Sequence, residues 1–116
     1  MTDASSPPPT DMNRYLGIDV GGTTIKFGLC DSDGRIRSKD STPTDVLPKP
    51  EAVIRHGLEF AHASLGASEM LTGIGLAVPG VLDTSTWCLK EVVNLPHWTN
   101  RPLLAILEEE SQLPSA

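Results

Sequence analysis

The chain has 116 residues, 39% of them hydrophobic and only 4% aromatic, so it holds one small domain whose core must be mainly aliphatic. A net charge of -6 argues against binding to nucleic-acid phosphates. The two cysteines, Cys30 and Cys88, are too few and too far apart for a disulfide framework or a metal cluster, and they read as free thiols in a reduced setting.

Residues 1–13 are mostly Ser, Pro, Thr and Asp and predict a disordered tail, with the domain running over 14–116. The tail lacks the apolar stretch of a secretory signal, and no apolar run reaches membrane-spanning length, so a cytoplasmic setting without membrane contact is expected. Tyr15–Val20 is a short apolar run ended by Gly21-Gly22, which predicts a strand and a turn. Thr24–Cys30 alternates, with Ile25, Phe27 and Leu29 on one face, and predicts a half-buried strand. After the turn signal Asp31–Gly34, Arg35–Ser41 is a third strand at an edge, completing an antiparallel meander.

Thr42–Lys49 reads as a loop, and Pro50 suits the first turn of a helix. Ile54, Leu58, Ala61 and Leu65 form that helix's apolar face, and Gly66 stops it. Gly73–Val78 is a buried strand cut off by Pro79-Gly80. Val81–Lys90 is a connection or irregular hairpin, Glu91–Asn94 a short extended piece, and Pro96–Asn100 a loop. Pro102 opens a second helix with Leu103, Leu104, Ile106 and Leu107 as its apolar face. An αβ order that ends on a helix calls for one more strand, so the chain reads as cut short, poorly stable and left with that face uncovered.

The chemistry is concentrated in Leu16–Asp31, LGIDVGGTTIKFGLCD. A buried strand delivers Asp19 to a turn whose glycines let the backbone approach a ligand, and successive N–H groups there form an anion nest. Thr23 and Thr24 add hydroxyls. A carboxylate beside a phosphate nest makes sense when Mg²⁺, held through water, lies between them. A P-loop is excluded because Thr23, not Lys, follows the last glycine. A dinucleotide fingerprint is excluded because Gly73-x-Gly75 is followed by Val78 where the third glycine belongs. The bland alternative is a plain β-turn preceded by an aspartate.

This string resembles the first phosphate motif of the actin-like ATPase superfamily. Gly73–Asp83 (GIGLAVPGVLD) and Asn94–Trp98 (NLPHW) with Arg101-Pro102-Leu103 are similar, in order and spacing, to segments of the ROK family (repressor, open reading frame, kinase). The resemblance covers roughly Tyr15 to Pro114. It implies an α/β, ribonuclease H-like fold: the N-terminal domain of an actin-like ATPase, incomplete, with a mixed sheet and flanking helices. It further implies a sugar kinase that phosphorylates a hexose, with glucose first, using ATP and Mg²⁺; polyphosphate stays open as donor.

By that resemblance Asp19 orients Mg²⁺ through water, and Gly21, Gly22, Thr23 and Thr24 contact the β- and γ-phosphates. Lys26 either adds positive charge there or is a solvated strand residue. Pro79 and Gly80 shape the sugar pocket, and Asn94 either supports the same loop or caps a turn. Trp98 packs rather than binds, His97 is no base, and Asp83 has at most a small part. The family's catalytic Asp, its zinc motif and its adenosine-binding half are expected beyond Ala116, so no catalytic base is assigned and the segment alone is expected to be inactive. A homodimer is possible for a longer protein. The alternative is a non-catalytic remnant of the fold, or a sugar-sensing regulator without its DNA-binding domain.

Overall fold

The structure is a computed structural model that describes residues 12–91 and 95–116. The expected tail therefore lies almost wholly outside the described residues, and Asn94 lies outside them too.

Among the described residues six strands and two α-helices follow in the order β1 (Asn13–Val20), β2 (Thr24–Cys30), β3 (Ile36–Pro43), α1 (Pro50–Ser64), β4 (Met70–Ala77), β5 (Val81–Asp83), β6 (Cys88–Glu91) and α2 (Leu103–Ser111). A single 3-10 turn, Thr44–Val46, lies in the loop after β3. The main sheet has the order β3-β2-β1-β4, antiparallel except for the β1–β4 pair, which is parallel. It is a mixed sheet with flanking helices, as expected, and its first three strands form the meander.

The alternation of β2 appears directly as burial. Ile25, Phe27 and Leu29 join Leu16, Ile18 and Val20 of β1 in the core, under Val53, Ile54 and Ala61 of α1. Pro50 occupies the first helical turn, where its missing N–H leaves nothing unpaired. The predicted face of α1 turns inward, with Ile54 and Ala61 fully buried and Leu58 and Leu65 partly so, but it is rotated toward Val53 and Gly57. Its centre is Gly57. A Cβ on Gly57 would sit 3.0 Å from Ile18 Cδ1 and 3.2 Å from both Leu16 Cδ2 and Phe27 Cδ2, so the bare backbone sets how closely helix and sheet meet.

β1 is longer than its apolar run for a tertiary reason. β1 starts at Asn13 rather than Tyr15 because Asn13 and Arg14 pair with Met70 and Leu71 of β4. The Arg14 guanidinium is buried and donates to Glu69 at 2.5 Å, and Glu69 also accepts from the Gly66 amide beyond α1. In the β2–β3 turn, burial pushes the Asp31 carboxyl up. The amides of Arg35 and Asp33 and the Arg37 guanidinium outweigh that and hold it below the ordinary range.

Val81–Lys90 resolves as an irregular hairpin, β5–β6, with a register shift between Val81 and Leu82. Helix α2 is better covered than its composition suggests. Leu103, Ile106 and Leu107 are buried in the core together with Leu89, Leu95 and Trp98, and the helix packs on α1. Leu103, Leu104 and Leu107 line an apolar cavity of about 330 Å³ shared with Val78, Leu82 and Trp87. After α2, Pro114–Ala116 run parallel to β4, with Ile74 N–H donating to Pro114 O (3.1 Å) and Leu76 N–H to Ala116 O (2.8 Å). An extended segment thus follows the helix on the β4 edge of the sheet.

Candidate functional site

The face of the sheet turned away from α1 is an open groove of about 680 Å³. Across its middle Gly28, Gly17 and Gly75 are direct cross-strand neighbours. One step toward the carboxyl end of β1, Asp19 stands between Lys26 of β2 and Ala77 of β4, and all three line the groove. Asp19 and Lys26 are exposed, and neither side chain makes a hydrogen bond or ion pair among the described residues. Two opposite charges held side by side on a rigid sheet, with their bonding capacity unused, form a receptive pair.

The β1–β2 turn adds donors. Gly21 N–H donates to Thr24 O at 3.0 Å and closes the hairpin. Neither Gly21 nor Gly22 has a positive φ, so the tight bend does not come from left-handed backbone. What Gly21 supplies is proximity: a Cβ there would lie 2.7 Å from the Thr24 carbonyl oxygen. The next two amides, of Gly22 and Thr23, donate to no other described residue, and Gly22, Thr23 and Thr24 are exposed. Two consecutive N–H groups without a partner among the described residues, with hydroxyls beside them, are able to donate to an anion's oxygens.

Because β1 and β4 are parallel, both end at the same edge, which sets Pro79-Gly80 at the same end of the sheet as the hairpin turn. Gly80 has φ 110, a backbone conformation that any side chain would strain. The structure therefore gathers Asp19, Gly21, Gly22, Thr23, Thr24, Lys26, Pro79 and Gly80 at one end of the sheet.

Other candidates are committed elsewhere. Hydrogen bonds from the Ser85 hydroxyl (2.6 Å) and amide (2.9 Å) hold the Asp83 carboxyl below the ordinary range and tie it into the β5–β6 turn. Trp98 is 0% exposed and donates its indole N–H to Pro48 O at 3.1 Å, so it packs. His97 is exposed and lies by Lys49 and Arg101, away from Asp19. Among the described residues no group of three or more His, Cys, Asp or Glu is placed to cage a metal. Asp19 alone fits a cation that keeps most of its waters and binds through one carboxylate, as Mg²⁺ does. No described helix is long and apolar enough to cross a membrane.

Two residues were not foreseen. Thr44, in a loop read as plain, is buried and bonded to the hairpin turn; a threonine between a proline and an aspartate carries no local signal of this. Trp87 has φ 58, unusual for so bulky a residue. It is held there by Trp87 N–H to Asp83 O and Leu103 N–H to Trp87 O.

Comparison with known proteins identifies the family. The family model described as "ROK family" matches residues 15–116. A glucokinase of Halalkalibacterium halodurans is 34% identical over 104 residues, covering 86% of this chain and 31% of that protein. An N-acetylmannosamine kinase of Escherichia coli is 31% identical over 100 residues, covering 86% of this chain and 33% of that protein. The crystal structure of a ROK family glucokinase from Streptomyces griseus, in complex with glucose and AMPPNP, superposes with a TM-score of 0.68 at 26% identity, over 89% of this chain and 32% of that one. The chain thus spans about a third of the length of the proteins it matches. With the family model matching residues 15–116 and the glucokinase relative 34% identical over 86% of the chain, the chain is a member of the ROK family.

Proposed function

We propose that this segment is the phosphate- and metal-binding part of an ATP-dependent kinase acting on a hexose, with glucose the first candidate, in the cytoplasm. The observation that carries the reading is the pair of free amides at Gly22 and Thr23 beside the unbonded Asp19 carboxylate. Support for the reaction class comes from relatives named as sugar kinases, and for the nucleotide from the S. griseus complex. Glucose comes first because a glucokinase name recurs among them, although the N-acetylmannosamine kinase marks the sugar as a point on which relatives differ.

Phosphoryl transfer asks a protein mainly for positioning and charge neutralisation. In this reading Gly22 and Thr23 donate their amides to the terminal phosphates, and Thr23 and Thr24 add their hydroxyls. Lys26 offsets the negative charge from the next strand, and Asp19 holds hydrated Mg²⁺ on the groove side. The metal, when bound, neutralises charge that builds on the phosphate oxygens. Pro79-Gly80 walls the adjoining sugar position. No described carboxylate is placed to take the proton of an acceptor hydroxyl, since Asp83 is held in its turn. The segment alone is therefore proposed to bind MgATP without transferring its phosphate.

Isothermal calorimetry with ATP, in the presence and absence of Mg²⁺, tests this on the wild type and on Asp19→Asn. The wild type is expected to bind more tightly with Mg²⁺, by about tenfold, the scale of one charge-assisted contact. Asp19→Asn is expected to bind equally with and without the metal. Equal metal enhancement in the two proteins would remove Asp19 from the role, and no binding by either would remove the phosphate reading.

A further inference from the structure

We propose that Thr44 is a positioning residue for the phosphate hairpin, fixing the direction in which its amides point; this rests on the hairpin being the phosphate site. Strand β3 ends at Pro43, directly opposite Thr24. The chain then turns inward, and Thr44 is 5% exposed while Pro43, Asp45 and Val46 around it are exposed. A polar side chain buried in a loop needs partners, and both donors of Thr44 find theirs in the hairpin turn. Its backbone N–H donates to Thr23 O at 2.9 Å and its hydroxyl to Gly21 O at 2.8 Å.

Peptide units are planar and here all trans, so each carbonyl points opposite to the N–H of the following residue. Anchoring the Gly21 carbonyl aims the Gly22 N–H away from Thr44, and anchoring the Thr23 carbonyl does the same for Thr24. One residue thus sets two peptide planes of the turn. The turn's own closure is the single Gly21–Thr24 backbone bond, and its residues have no place in the apolar core. Thr44 is itself held firmly. Its carbonyl accepts from Leu47 N–H, and four residues on, Pro48 O accepts the indole N–H of the fully buried Trp98. The clamp therefore stands on the core rather than on a free loop.

The test is titration of the 116-residue chain with MgATP, followed through the amide ¹⁵N–¹H signals of Gly22, Thr23 and Thr24. Thr44→Val keeps the shape and the backbone donor and removes the hydroxyl. It is expected to raise the apparent dissociation constant about tenfold, the effect of one lost buried hydrogen bond. Thr44→Ser restores the hydroxyl and is expected to titrate within about twofold of the wild type. Ile54→Val, which trims the core under α1 away from the turn, serves as the stability control and is expected to titrate normally. Thr44→Ala takes the place of the valine variant if that protein does not fold. Wild-type titration by Thr44→Val, or an equal weakening by Ile54→Val, overturns the proposal. A wild type whose amides do not respond to MgATP overturns the phosphate reading first, and this inference with it.

Discussion

Gly57→Val is expected to destabilise the protein by about 3 kcal/mol, the upper end for overpacking a well-filled core. The position already leaves only 3.0–3.2 Å between a hypothetical Cβ and the side chains of Ile18, Leu16 and Phe27. Those three are 1–2% exposed and packed under the helix, so none has room to move aside. Two further methyl groups can be accommodated only by lifting α1 from the sheet, which would loosen Val53, Ile54 and Ala61 as well. Alanine is the informative contrast. Its helix propensity favours it over glycine by about 1 kcal/mol, which nearly offsets the strain of one tight methyl, so Gly57→Ala should fall close to the wild type. Chemical denaturation of the three proteins checks both statements. A valine variant as stable as the wild type would mean that helix and sheet do not meet at this distance.

The second large effect falls on binding rather than stability. Gly21→Ala places a Cβ where it would be 2.7 Å from a backbone oxygen, and a backbone atom cannot rotate out of the way as a side chain can. The Gly21–Thr24 bond must open, and the amides of Gly22 and Thr23 then lose their common direction. MgATP affinity is expected to fall at least about tenfold, since more than one contact is misaligned. The melting temperature should move little, because Gly21, Gly22 and Thr23 contribute no side chain to the core. Calorimetry and thermal melting on the same preparation separate these effects. Undiminished affinity would show that the turn geometry is not what holds the phosphates.

How much of this was legible in the sequence depends on whether the cause was local. Thr24–Cys30 was read to the residue because alternation along a half-buried strand is written in the strand itself. The start of α1 was legible from Pro50 for the same reason. Asn13 and Arg14 were read as tail because their partners, Met70, Leu71 and Glu69, lie far along the chain. The polar strand β3 shifted from Arg35–Ser41 to Ile36–Pro43, since its limits are set by pairing with β2 and not by its own pattern. Gly57 escaped because a stripe of apolar residues is sought by size, whereas a close helix–sheet contact selects for the smallest residue. At the site, the turn and its aspartate could be read from spacing. That Pro79-Gly80 lies at the same end of the sheet could not, because it follows from the parallel pairing of β1 with β4.

That pairing also bears on the order in which the molecule acquires its shape. The β1–β2–β3 meander joins neighbours in sequence through short turns, whereas β1 meets β4 only after the loop, α1 and its exit have been closed into a ring. Local pairings form ahead of those that must first meet a loop-closure cost. The hairpin end of the site is therefore expected early and the Pro79-Gly80 end late. In pulsed hydrogen exchange during refolding, the amides of Phe27 and Leu29 should become protected before those of Gly73 and Gly75, which alternate with the Pro114–Ala116-bonded Ile74 and Leu76 and so face β1, and the reverse order would contradict this. A partly folded chain would then hold a formed phosphate turn with no sugar wall beside it, and the two halves of the site would come together only in the last step of folding.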